Sequence, residues 1–302
     1  MDQASSLRKI VSDKVSGIKP RIRSSNGPGG ASKGLHRVIS VTSGKGGVGK
    51  TNIVAGLALA LTDLGHKVLI LDADLGLANI DIVFGVHPKY NIGHVLTGEK
   101  GLQEIIVDGP KGIRIIPAGS GFVNLTHLTD GQKLSLLGEF EALEDAFDFF
   151  LIDTGAGIST NVTYFNLAAD ECIVVVTGEP TSVTDAYAMI KVMSTEHGEK
   201  RFKLLMNMVT DEKEAKNVYL NLCQAADRFL NGVVLEYMGY IPLDSKVRQA
   251  ILNRKSFLDL YPQTLASQKL RQVASELSES PRRVDVNGNI KFFMKRYMAC
   301  WE

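Results

Sequence analysis

The 302-residue chain holds 34 Lys/Arg against 33 Asp/Glu, with 44% hydrophobic and 22% charged residues. This balance belongs to a soluble globular protein and excludes collagen-like, intrinsically disordered and disulfide-scaffold classes. The net charge of +1 conceals an uneven distribution: residues 1–37 carry eight Lys/Arg and two acids (+6), residues 281–302 carry five and two (+3), and the body between them is therefore −8.

The chain begins MDQASSLRKI, without the apolar core of a secretory signal, and Ala4, Leu7 and Val11 recur at helical spacing. Residues 19–33 are rich in Pro, Gly, Ser and basic side chains, which reads as a flexible linker. From His36 onward, short β-branched runs alternate with longer amphipathic stretches. Strands are expected over 37–43, 67–74, 113–119, 148–154, 171–177, 202–209 and 234–242. Helices are expected near 50–64, 132–146, 158–168, 181–195, 213–230, 244–253 and 262–278. Strands apolar nearly throughout, alternating with helices, predict an α/β fold: a predominantly parallel sheet with helices on both faces. Residues 278–289 read as a second linker before a short last helix, so one domain over 37–280 carries two appendages, 1–36 and 281–302. No apolar run approaches the roughly 18 residues of a spanning helix. Cys172, Cys223 and Cys300 are odd in number and far apart, which indicates neither a disulfide framework nor a CxxC metal site. A reducing cytoplasm is the expected location.

The sharpest motif is Gly44-Lys45-Gly46-Gly47-Val48-Gly49-Lys50-Thr51, a G-x-x-x-x-G-K-T phosphate loop between a strand and a helix. Its glycines let backbone N–H groups wrap a phosphate at a helix N-terminus. Lys50 can reach the β/γ-phosphates, and the Thr51 hydroxyl can ligate Mg²⁺. The loop's own chemistry does not need Lys45. Asp72 and Asp74 end one apolar strand, two apart and so on one face, and Asp153 ends another before a Gly-Ala-Gly expected to be mobile. An aspartate after four apolar strand residues is the Mg²⁺-holding position of such enzymes. Asn207, at the end of LLMN, can hydrogen-bond an adenine edge. At the far end, Ile290, Phe293, Met294, Tyr297 and Trp301 form one apolar helical stripe with Lys291, Lys295 and Arg296 beside it. Such a segment suits either an anionic membrane interface or docking on the core.

KGGVGKTN with two lysines resembles the deviant Walker A loop of the MinD/ParA family of P-loop ATPases. DADLGLANID, DTGAGI and EPTSVTDAYAMIK are similar to the flagellar number and placement regulators of that family, the FlhG/FleN/YlxH branch. The resemblance implies an ATP- and Mg²⁺-dependent hydrolase that dimerises around ATP. In it, Lys45 reaches the partner's phosphates, Asp74 positions the attacking water, Asp72 lies in the metal's outer shell and Asp153 is the Walker B residue. Asn52 counts with the nucleotide contacts, Glu179 matches a position near the nucleotide of the dimer, and Pro242 matches an IPxD segment packed against the base. Asp2, Gln3, Ala4, Leu7 and Arg8 match a DQAxxLR segment that stimulates a signal-recognition-particle-type flagellar GTPase, FlhF. Anionic membrane lipid is a further implied partner, holding the ATP-bound protein at the inner face of the membrane. Flagellar switch-ring proteins or a flagellar transcription activator are others, and nucleic acid is not expected. Two alternatives stay open at this point: a ParA-type partition ATPase binding DNA by its basic ends, and a nucleotide-gated binding module with negligible hydrolysis.

Overall fold

The computed structural model describes residues 37–74, 79–117, 138–140, 143 and 146–281. The aliphatic runs form strands buried on both faces: every residue is buried in β2 (Val68–Ala73) and β6 (Glu171–Val176), and nearly every one in β1 (Arg37–Ser43) and β5 (Phe149–Ala156). With β3 (Val107–Asp108), β4 (Arg114–Ile116), β7 (Arg201–Val209) and β8 (Val234–Pro242) they make an eight-stranded sheet in the order β3-β4-β2-β5-β1-β6-β7-β8. Its pairs are parallel except β3 with β4. This is the P-loop ATPase architecture expected from the sequence. Sheet order, not chain order, then decides which strand ends stand beside the phosphate loop.

Helix α1 (Lys50–Asp63) is buried along most of its length, including Ile53 to Leu61. A helix that is apolar all round needs cover on more than one side, and here the sheet supplies one side and α10 (Leu265–Glu279) another. Helix α5 (Thr160–Ala168) follows β5. On the other half of the sheet, α6 (Pro180–His197) and α7 (Glu212–Phe229) close a second apolar cluster with β6 and β7. Helix α7 is capped by Asp211, whose carboxylate accepts from the Glu214 N–H.

The sequence left out short helices: α2 (Ile80–Phe84), α3 (Ile92–Leu96), α4 (Leu102–Ile105) and α9 (Phe257–Leu260). Each is about one turn, too short to show a 3.6-residue period, and end contacts define several of them: Asn91 with His94 at α3, and Ser256 at α9. Helix α8 (Ser245–Leu252) lies where 244–253 was expected, and α10 starts at Leu265 rather than 262 because Thr264 caps it. The strand expected over 113–119 is confined to 114–116, with 118 and 119 outside the described residues. Most of the helix expected over 132–146 also lies outside them. So do residues 1–36 and 282–302, and with them the stripe from Ile290 to Trp301 and the DQAxxLR match. Among the described residues, no helix is long and apolar enough to cross a membrane.

At the amino edge of the sheet, the first described residue, Arg37, reaches the end of α10. Arg37 Nε donates to Glu171 Oε1 at 2.7 Å, and Lys203 Nζ takes the other oxygen at 2.7 Å. The same guanidinium donates to the Leu277 carbonyl and, at 3.3 Å, to Ser280 Oγ. Burial alone would raise the Glu171 carboxyl, but Lys203 and Arg37 outweigh it and hold the group below the usual range.

Candidate functional site

The chain leaves β1 at Ser43 and turns into α1 through residues 44–49. Gly44 is required by close approach: a Cβ there would lie 2.2 Å from the Asp185 backbone, so α6 braces the base of the loop. Gly49 has φ +89° and a Cβ there would meet the Asn207 amide at 2.6 Å, which excludes a side chain on two counts. A Cβ on Gly46 or Gly47 meets nothing within 4 Å, an open cradle over the α1 N-terminus where a phosphate group fits.

Sheet order sorts the other predicted residues to either side of this loop. On one side stand the ends of β5 and β2, whose Asp153 and Asp72 are paired in register. Asp153 is 1% exposed, and neither of its oxygens accepts a hydrogen bond of good geometry, although the Thr51 hydroxyl lies close enough to interact. Burial first, then the Asp72 charge, push its carboxyl up to about 8, against the pull of Thr51 and Lys50. Lys50 is 8% exposed; burial lowers its pKa and the charges of Asp153 and Asp74 resist. Asp72, equally buried, is fully engaged: Oδ2 accepts from the Asn79 N–H at 3.0 Å and the Ile80 N–H at 3.1 Å, Oδ1 from the Asp74 N–H at 3.3 Å. Burial still raises it to about 6. Its first duty is therefore to hold the N-terminus of α2. Asp74 stands one residue past the end of β2, 3.6 Å from the position of a Gly155 Cβ. The Gly-Ala-Gly expected to be mobile is instead ordered at its start. Gly155 and Ala156 continue β5, Ala156 pairs with Ser43, and the Gly157 N–H donates to the Ser43 carbonyl at 2.9 Å.

On the other side lie the ends of β6, β7 and β8. Lys45 does leave the loop, and its Nζ donates to Glu179 Oε2 at 2.6 Å and to Thr181 Oγ1 at 2.8 Å, at the start of α6. Asn207 is buried and its Nδ2 donates to the Val48 carbonyl at 2.7 Å, so its amide props the loop. Pro242 is buried opposite Val209, and the exposed apolar residue there is Leu243. Thr51 and Asn52 are half-buried in the first turn of α1. Two participants escaped the sequence: Thr181, and Met208, which sits at φ 56° in a bulge of β7 and turns its methyl toward Gly49. Thr181 lies within the EPTSVTDAYAMIK segment without standing out from its neighbours, and no motif marks Met208, since the bulge appears only when β7 pairs with β8.

The donor set can be tested against the metal that such a loop uses. A bare, buried carboxylate beside a hydroxyl at the α1 N-terminus demands a cation, and Mg²⁺ held by Asp153 and Thr51 meets that demand. Residues 36–206 match the model of a family described as an AAA domain. The chain is 43% identical over 260 residues to the antiactivator FleN of Pseudomonas aeruginosa, covering 86% of this chain and 92% of that protein. It is 38% identical over 270 residues to the flagellum site-determining protein YlxH of Helicobacter pylori, covering 88% and 91%. The septum site-determining protein MinD complexed with Mg-ADP, from Pyrococcus horikoshii, superposes with a TM-score of 0.65 at 26% identity, over 81% of this chain and 97% of that one.

The chain belongs to the MinD/ParA family of P-loop ATPases, in the branch that holds FleN and YlxH. It is an ATPase that works with ATP and Mg²⁺. Lys50 and the loop amides would hold phosphate and Asp153 and Thr51 would hold Mg²⁺, which when bound would supply charge neutralisation at the transferring phosphoryl group.

Proposed function

We propose that this MinD/ParA-family ATPase regulates flagellar number or placement, as an ATP-dependent dimer that binds anionic membrane and stimulates a signal-recognition-particle-type GTPase, FlhF. The similarity to YlxH, a flagellum site-determining protein, supports the flagellar reading. The observation that carries the dimer is the position of Lys45: it leaves the nucleotide its own loop would encircle and pairs with Glu179 and Thr181 at the rim. From there it is available to a second copy's phosphates, where it neutralises developing charge as an arginine finger does. Asp74 orients the attacking water, Asp72 keeps Asp74 and the entry to α2 in place, and Asn207, Met208 and Pro242 form the flank against which the base packs. Residues 290–301 give the apolar stripe and flanking basic charge for lipid, and residues 2–8 the activator segment.

The test is sedimentation with anionic vesicles, with and without ATP, for the full chain and for a truncation at 285. Binding that needs both ATP and residues beyond 285 is expected. Salt-sensitive binding to DNA without binding to lipid would replace this reading with partition. Removing residues 1–10 is expected to spare ATP hydrolysis and abolish GTPase stimulation; unchanged stimulation would remove the activator role.

A further inference from the structure

Helix α8 packs its inner side, Val247 and Ala250, on the core. Leu243 just before it, and Ile251 and Leu252 in its last turn, are 68%, 44% and 77% exposed. Arg248 and Leu252, four apart, share the outward side. Residues 245–258 hold Lys246, Arg248, Arg254 and Lys255 and no acid, a local +4 on a body of −8. Among the described residues, Arg248, Arg254 and Lys255 form no ion pair. The acids that bracket the segment are already engaged. Asp244 caps α8 by accepting from the Lys246 N–H at 2.8 Å, and Asp259 pairs with Lys111 at 3.2 Å. Arg254 closes the helix at φ 51°, where glycine would sit with less strain. Its carbonyl lies 3.7 Å from the position of a Gly85 Cβ at the end of α2, whose Ile82 is exposed as well.

We infer that α8 and the turn after it are a docking surface for a protein partner whose contacting face sets carboxylates around apolar side chains. Exposed apolar residues rimmed by charge mark protein contacts, and arginine beside a desolvated anchor is a recurrent source of interface energy. Unpaired cations on an otherwise acidic body select an acidic face and repel basic ones. Nucleic acid would use the cations through its phosphates and leave Leu243, Ile251 and Leu252 without a role. A lipid surface takes up the apolar side of an amphipathic helix, and α8 already has that side, Val247 and Ala250, on the core. A protein face uses both halves of the patch.

The experiment titrates the full chain into a fluorescent synthetic helix with leucines at i, i+3, i+4 and i+7 flanked by glutamates, followed by anisotropy. A counterpart carries lysine in place of each glutamate. The chain is expected to bind the glutamate helix and reject the lysine helix. Leu252→Ser and, separately, Arg248→Glu should each weaken binding by about tenfold or more, with ATP hydrolysis in solution unchanged. Arg254→Gly should weaken binding while raising the melting temperature, a split that a purely structural role would not produce. Absence of binding to the glutamate helix, or equal binding by the variants, overturns the inference. Binding to duplex DNA or to phosphatidylglycerol vesicles that Arg248→Glu abolishes and Leu252→Ser spares also overturns it, and assigns the patch to phosphate groups. Self-association of the full chain that Leu252→Ser dissolves overturns it too, and assigns the patch to a second copy.

Discussion

Two adjacent strand ends, those of β2 and β5, carry aspartates that are neighbours in register and equally removed from water, yet they are treated oppositely. Asp72 accepts three backbone N–H bonds. Asp153 accepts none. A buried carboxylate costs stability unless it is bonded, so the first is part of the scaffold and the second is a site held open at the expense of the metal-free fold. Chemistry is therefore marked here by the missing partner, while burial and strand position are common to both.

Lys50→Ala attacks what the two share, the cation between them and the phosphates, and has the largest expected effect: ATP affinity falls by about a thousandfold in a fluorescent-nucleotide titration. Asp153→Asn separates them. Hydrolysis and its Mg²⁺ dependence should fall by about a hundredfold, while the metal-free protein melts at a higher temperature because the cost of keeping a buried carboxyl protonated is gone. The same carboxyl gives a pH signature. Held up to about 8 in the folded chain against 3.8 in the unfolded one, it keeps its proton after the unfolded chain has lost it. Its contribution is thus fully present below pH 4 and drains away as pH rises to 8. Asp72 adds the same sign over the narrower window up to about 6. Denaturant titrations across that range should show the decline without Mg²⁺, and a much smaller one in Asp153→Asn.

Asp72→Ala is the inverse case. It strands buried N–H groups at the entry to α2 and should cost about 2–3 kcal/mol in urea unfolding. Were it the variant that stabilised the metal-free protein, the contrast between the strand ends would be wrong. The smallest effect belongs to Glu179→Gln. The Lys45 and Glu179 side chains are 37% and 66% exposed, so the change should alter stability by less than about 1 kcal/mol and leave nucleotide affinity intact.

Much of this was legible in the sequence where the physics is local. The apolar runs became central strands because parallel strands under helices are buried on both faces, and the glycine spacing of 44–49 announced the loop. Asp153 was found because it ends such a run. What stayed hidden is what pairing across the sheet creates. Asp72 reads as a twin of Asp153 until α2 presents its N–H groups, and α2 is too short to show a period. Asn207 looks like a free amide until β7 sets it against Val48. Lys45 finds Glu179 across 134 residues, and no spacing rule spans that interval.

The cover that α10 gives to α1 has a consequence for the order in which the protein is made. The helix that begins with Lys50 is synthesised early, but one of its apolar sides is covered by α10, whose Leu270 lies over Gly56, and α10 is made long after it. The nucleotide site therefore matures only once α10 has been made, and a product truncated before residue 265 would carry the full phosphate-loop motif without the cover its helix needs.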